Sequence, residues 1–356
     1  NLALKYDNGE GVLENDKTAV KWYTLAAEQG DADAQYNLAL KYEKGEGVLE
    51  HHKTAVKWYT VAAEQGNANA QYNLAFKYEN GEGVLANDKT AVKWYTLAAE
   101  QGDADAQHNL ALKYGKGEGV LENDKTAVKW YTLAAEQGNA NAQYNLALNY
   151  ENGEGVLEND KTAVKWYTLA AEQGKAIAQY NLALKYENGE GVLENDKTAV
   201  KWYTLAAEQG KANAQFNLAL KYDNGDGVLE NDKTAVKWYT LAAEQGDADA
   251  QYNLAVKFDN GEGALENDKT AVKWYTLAAE QGNALAQSNL GIMYANGEGV
   301  LTDNRRAYMW FNLASYNGDE IGGKNKDEIE KDMTSAQIDK AQDMSSRCLE
   351  SNYTDC

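Results

Sequence analysis

Proline is absent from all 356 residues, histidine occurs three times, and cysteine occurs only at Cys348 and Cys356. Without proline, and with glycine, alanine, leucine, lysine and glutamate plentiful, the composition suits helices joined by glycine turns. His51, His52 and His108, with no cysteine before residue 348, offer too few ligands for a zinc site. No apolar run approaches the roughly 20 residues that cross a bilayer, so no membrane insertion of this segment is expected. Positive charge is also scarce: 34 Lys and Arg stand against 55 Asp and Glu, a formal charge of −21. That balance repels the phosphates of nucleic acid and of anionic membranes, so neither is expected as a partner. It suits solubility or a basic partner. The singular polar residues are the three histidines, Arg305, Arg306, Arg347 and the two cysteines. They form no recognisable nucleophile, base and orienting group, so neither an enzymatic role nor a cofactor is expected.

What is present is a repeat. All nine tryptophans, from Trp22 and Trp58 through to Trp310, fall 36 residues apart. Such a register means one structural unit copied along the chain, each copy burying its apolar face against its neighbours. The array reads as a partial unit at 1–30, then complete units starting at 31, 67, 103, 139, 175, 211, 247 and 283. Residues 319–356 form a C-terminal cap and tail. Because Asn1 to Tyr6 repeats Asn37 to Tyr42, further units and a natural N-terminus are expected upstream.

Residues 139–174 show one unit in detail. Ala142, Leu146, Ala147 and Tyr150 have helical spacing, with Asn139 as N-cap and a stop at Asn152-Gly153. Gly155 allows a second turn, and Asp160 is expected to cap a second helix. Ala163, Trp166, Tyr167, Ala170 and Ala171 form its apolar stripe, and Gly174 ends it. Trp166 is expected to pack between units. Thr334-Ser335-Ala336-Gln337 has capping-box spacing ahead of Ile338, Ala341 and Met344, which predicts a C-terminal capping helix. The fold class is therefore all-α, a solenoid of 36-residue helical hairpins.

These motifs resemble the Sel1-like repeat, a relative of the tetratricopeptide repeat, and a bacterial member in particular. The resemblance is carried by Leu290-Gly291-Ile292-Met293-Tyr294, Gly297-Glu298-Gly299-Val300, Asp303, Ala307, Trp310-Phe311, Ala314 and Gly318. Inner units carry Ala39 where the family usually has Gly, and Leu49 where the turn often has Pro. The resemblance implies an α/α superhelix acting as an adaptor, a protein–protein interaction scaffold that offers a concave groove to a peptide or protein. Two alternatives are a passive periplasmic or surface spacer and a regulator of a cell-envelope enzyme. A monomer is expected. A cysteine-rich bacterial subgroup of the family staples each hairpin with a disulfide, and this chain lacks those cysteines.

By analogy with the tetratricopeptide layout, the first helix of each unit lines the concave surface. Positions 33, 36, 40 and 43 then lie opposite Leu38, Ala39 and Tyr42. The candidate binding residues are Tyr36, Leu40, Tyr72, Phe76, His108, Leu112, Tyr144, Leu148, Tyr180, Leu184, Phe216, Leu220, Tyr252 and Val256. Tyrosine with apolar neighbours suits a protein-binding surface, edged here by carboxylates such as Glu43, Glu79, Glu151 and Glu187 that could meet a basic ligand. An equal reading packs positions 36 and 40 between adjacent units. The turn carboxylates Glu151, Glu154, Glu158 and Asp160 lack the alternating spacing of a calcium loop. Cys348 and Cys356 are either free thiols or a local disulfide. Their pairing, together with the tail Met333-Thr334-Ser335-Ala336-Gln337-Ile338, which resembles the end cap of many bacterial members of the family, tilts the expected compartment toward the periplasm or exterior rather than the cytoplasm.

Overall fold

The computed structural model describes residues 2–354 and 356, and among them are twenty helices and no strand. Two compact units divide at residue 175. The first holds five hairpins, from Leu2–Asn8 with Asp16–Glu28 to Ala140–Asn152 with Asp160–Glu172. The second holds four more, from Ala176–Asn188 with Asp196–Glu208 to Ala284–Asn296 with Asn304–Tyr316. A shorter pair, Glu320–Glu330 and Ser335–Glu350, follows them.

Each hairpin begins and ends where its side chains satisfy the free backbone groups of a helix terminus. The Asn139 amide oxygen accepts from Ala142 N at 2.9 Å, and Gly153 closes that helix at φ 71°. The second helix is capped one residue earlier than its sequence suggested. Asn159, not Asp160, accepts from Thr162 N at 2.9 Å. Asp160 is instead the first helical residue. Gly155 has φ 72°, and a Cβ there would lie 2.5 Å from the Asp124 carbonyl carbon of the preceding hairpin. Only glycine meets both demands.

The core is built from small and aromatic side chains in alternation. Ala55, Tyr59, Ala62, Leu74 and Ala75 are fully buried, and their counterparts recur along the chain. The tryptophans join successive cores: Trp58 packs against the cluster from Ala3 to Leu38 and against the one from Ala39 onward, and Trp274 likewise touches two clusters. A glutamine ladder adds polar rungs. Gln143 Nε2 donates to Ala135 O of the preceding hairpin at 3.1 Å, and Gln173 Nε2 donates to Gln143 Oε1 at 2.7 Å.

At the C-terminus the capping box at Thr334 and Gln337 is present, and Ala341, Ser345 and Cys348 are buried. The helix Glu320–Glu330 before it was not foreseen. Asp319 caps it, and a Cβ at Gly322 would lie 2.6 Å from Ala314 Cβ, so the two helices approach closely. Tyr353 completes the ladder with a hydroxyl 2.9 Å from Asn317 Oδ1, where Asn317 stands in the place of the earlier glutamines.

Candidate functional site

The variable face of the first helices rests on a constant floor. Tyr36, Tyr72, His108, Tyr144, Tyr180, Phe216 and Tyr252 each lie 5.9–6.0 Å, centroid to centroid, from Tyr59, Tyr95, Tyr131, Tyr167, Tyr203, Tyr239 and Tyr275 respectively. The tilted contact suits aromatic quadrupoles and leaves the position-36 rings half-buried. Leu40, Leu112, Leu148, Leu184, Leu220 and Val256 are also half-buried, while Phe76 is exposed. Positions 36 and 40 thus share their surface between the core and solvent.

The carboxylates expected to rim this face are already engaged. Glu43 binds the Lys77 ammonium and accepts the Tyr59 hydroxyl. Glu79 pairs with Lys113 at 2.7 Å and with the Tyr95 hydroxyl at 2.7 Å. Glu187 pairs with Lys221 at 2.7 Å and takes the Tyr203 hydroxyl, and Glu151 takes that of Tyr167. They belong to the joints between hairpins and are not a free edge for a basic ligand. Burial pushes the Tyr59 and Tyr95 hydroxyls far above their ordinary range, and the neighbouring carboxylates push them further.

The lysine at the centre of most joints is not among the residues that the sequence singles out. Lys41, Lys77, Lys113, Lys185, Lys221 and Lys257 are buried, 36 residues apart or a multiple of it. Lys113 shows the full arrangement: its ammonium meets Glu79 of the preceding first helix at 2.7 Å, Asp88 of the preceding second helix at 2.8 Å and Glu118 of its own turn at 2.9 Å. Burial works against the charge on Lys113, but hydrogen bonds to Asp88, Glu118 and Glu79 outweigh it and raise the ammonium above its usual value. The readable signal was a lysine recurring inside an apolar stripe with acids 34 and 25 residues before it.

A row of exposed leucines is a second feature outside the sequence expectations. Leu13, Leu49, Leu85, Leu121, Leu157, Leu193, Leu229, Leu265 and Leu301 occupy the same turn position, and each is about nine-tenths exposed. Of the remaining sequence candidates, His51 caps the helix His52–Glu64 through Nδ1, so it does structural work. Cys348 and Cys356 are joined as a disulfide with Cα atoms 4.7 Å apart. Among the described residues no three His, Cys, Asp or Glu side chains gather as a metal site, and no helix is long and apolar enough to cross a membrane.

Stacked two-helix repeats with joints of this kind define a helical-hairpin solenoid. The family model described as Sel1 repeat matches nine consecutive stretches, from 1–31 and 32–67 through to 284–319, so the chain belongs to the Sel1 repeat family. Among solved structures it is similar to c5321, a protective antigen present in uropathogenic Escherichia coli strains displaying an SLR fold. The identity is 34%, with 99% of this chain and 84% of that one covered and a TM-score of 0.68. A Sel1 repeat protein from Oxalobacter formigenes is 33% identical over 85% of this chain and 88% of that one, with a TM-score of 0.64. No curated protein sequence matches the chain. Proteins of the Sel1 repeat family generally serve as scaffolds for protein–protein interaction, and the fold is typically non-enzymatic.

Proposed function

We propose that this chain is an adaptor that receives a peptide or protein partner on the face built from positions 36 and 40 of its first helices. One observation carries the reading: these half-exposed aromatic and aliphatic side chains vary between copies, while the tyrosine floor beneath them is constant. A surface facing a non-repetitive partner needs such variation, and its large apolar side chains are the type that anchors interfaces. The neighbouring carboxylates are neutralised by lysines, so binding on this face rests on apolar contact and depends weakly on salt.

The test selects peptides from a displayed random library against the wild-type chain. It then measures them against the triple variant Phe76→Ser, Leu112→Ser, Leu148→Ser, with helix content followed by circular dichroism. Binding lost with helicity kept supports the reading. Binding kept in a folded variant places the partner elsewhere.

A further inference from the structure

One joint in the array lacks both of its charged members. Where Lys41, Lys77, Lys113, Lys185, Lys221 and Lys257 stand in other copies, residue 149 is Asn, and its partner 34 residues earlier is Gly115 in place of Glu or Asp. Backbone geometry does not demand that glycine: its φ is not positive, and a Cβ there would meet only Ala127 Cβ, at 3.8 Å. The two substitutions leave a cavity of about 190 Å³.

Acceptors remain around it. Asp124 and Glu154 line the cavity, and they correspond to Asp88 and Glu118, which hold the Lys113 ammonium at 2.8 and 2.9 Å. Among the described residues neither forms an ion pair. Asn149 is 8% exposed and also lines the cavity; its Nδ2 donates to Glu154 O at 3.2 Å, and its Oδ1 accepts from no described residue. Tyr131, whose counterparts donate to a carboxylate at this point, has Gly115 there instead. Leu112 and Leu148 supply apolar wall. Lys116 lies exposed at the rim without an ion pair among the described residues.

We infer that this cavity is a binding site for a primary alkylammonium, held where Lys113 and its counterparts place their own ammonium. An ammonium carries three donors and no acceptor, which matches Asp124, Glu154 and the Asn149 carbonyl, while a short alkyl chain lies against the two leucines. The site stands independently of the adaptor reading, because either a free amine or a lysine side chain of another protein carries this group.

Isothermal titration of the full chain with n-butylammonium and, separately, with Nα-acetyl-lysine amide tests it, with n-butanol as the uncharged control. Saturable one-site binding is expected for n-butylammonium and none for n-butanol. The double variant Gly115→Glu, Asn149→Lys rebuilds the joint of the other copies without changing net charge, and it should abolish binding. Asp124→Asn should weaken binding at least tenfold. Equal binding of the lysine amide identifies a side chain as a fitting source, and binding of n-butylammonium alone identifies a free amine. No saturable binding of either probe, or binding unchanged in a folded double variant, overturns the inference.

Discussion

Lys77, whose side chain is almost wholly buried, holds Glu43 of the preceding hairpin through a direct ion pair 34 residues back along the chain. The same carboxylate accepts the Tyr59 hydroxyl, so one acid joins three helices. Its position on the candidate binding face is structural in purpose. Removing the lysine leaves Glu43 and Glu82 facing each other in a partly buried joint. Lys77→Met should destabilise the chain by about 3 kcal/mol, as for a buried pair that has lost one partner. Urea unfolding of the two proteins measures this, and a change near zero would show the joint to be energetically idle.

Trp94 is buried within a cluster that draws on successive hairpins. Trp94→Ala should cost about 3–5 kcal/mol through lost burial and the cavity left behind. In a stack of nearest-neighbour contacts that loss weakens coupling locally, so unfolding should separate into distinct transitions. A single unchanged transition would argue against the tryptophan as the link between hairpins.

The last full joint has lost its cation in a different way. Met293 occupies the lysine position and is buried, and the Asp259 carboxyl nearby is raised above its ordinary value by burial and by the charges of Glu298, Asp268 and Glu266. A carboxyl raised in the folded state binds its proton more tightly there than in the unfolded chain. Stability therefore falls as pH rises from the ordinary carboxyl pKa of about 4 through the raised folded value. Met293→Lys places an ammonium among these acids. Its melting temperature should exceed wild type at pH 7.5, with the difference shrinking toward pH 4. Calorimetry at the two pH values checks it; a lower melting temperature at pH 7.5 would refute it.

The disulfide between Cys348 and Cys356 closes a loop of sequence separation 8 around the buried Cys348 and the Tyr353 rung. Non-reducing mass mapping should recover the linked peptide from the native source. Reduction should lower protection of Ser335–Glu350 by about 2.5 kcal/mol, the loop-closure value for so short a span. Hydrogen exchange reads this locally, and the earlier hairpins should keep their protection.

Much of this was legible in one copy of the repeat. Asn139, Gly153 and Gly155 mark turns because capping and positive φ are local demands that local sequence reveals. Of the joints, only the recurrence of a lysine inside an apolar stripe was legible; the pairing was not, since Lys77 and Glu43 meet only once hairpins are stacked and nothing within one unit pairs them. For the same reason Glu43 reads as a surface acid from the sequence, and Asp160 reads as a cap although Asn159 performs that role. The helix Glu320–Glu330 was hidden because the aromatic signature of the repeat stops before it. Its one signal was Asp319, in register with Asn283 as a cap. The gap at Gly115 and Asn149 becomes visible only when the pairing rule is known.

The adaptor face is tested most directly by hydrogen-exchange footprinting of a library-selected peptide bound to the wild-type chain. Added protection should fall on first-helix segments carrying Tyr36, Tyr72, Phe76, Leu112 and Leu148, and the turns should be unchanged. Protection confined to the turns of Leu49, Leu85 and Leu121 would contradict it and assign binding to the exposed leucine row.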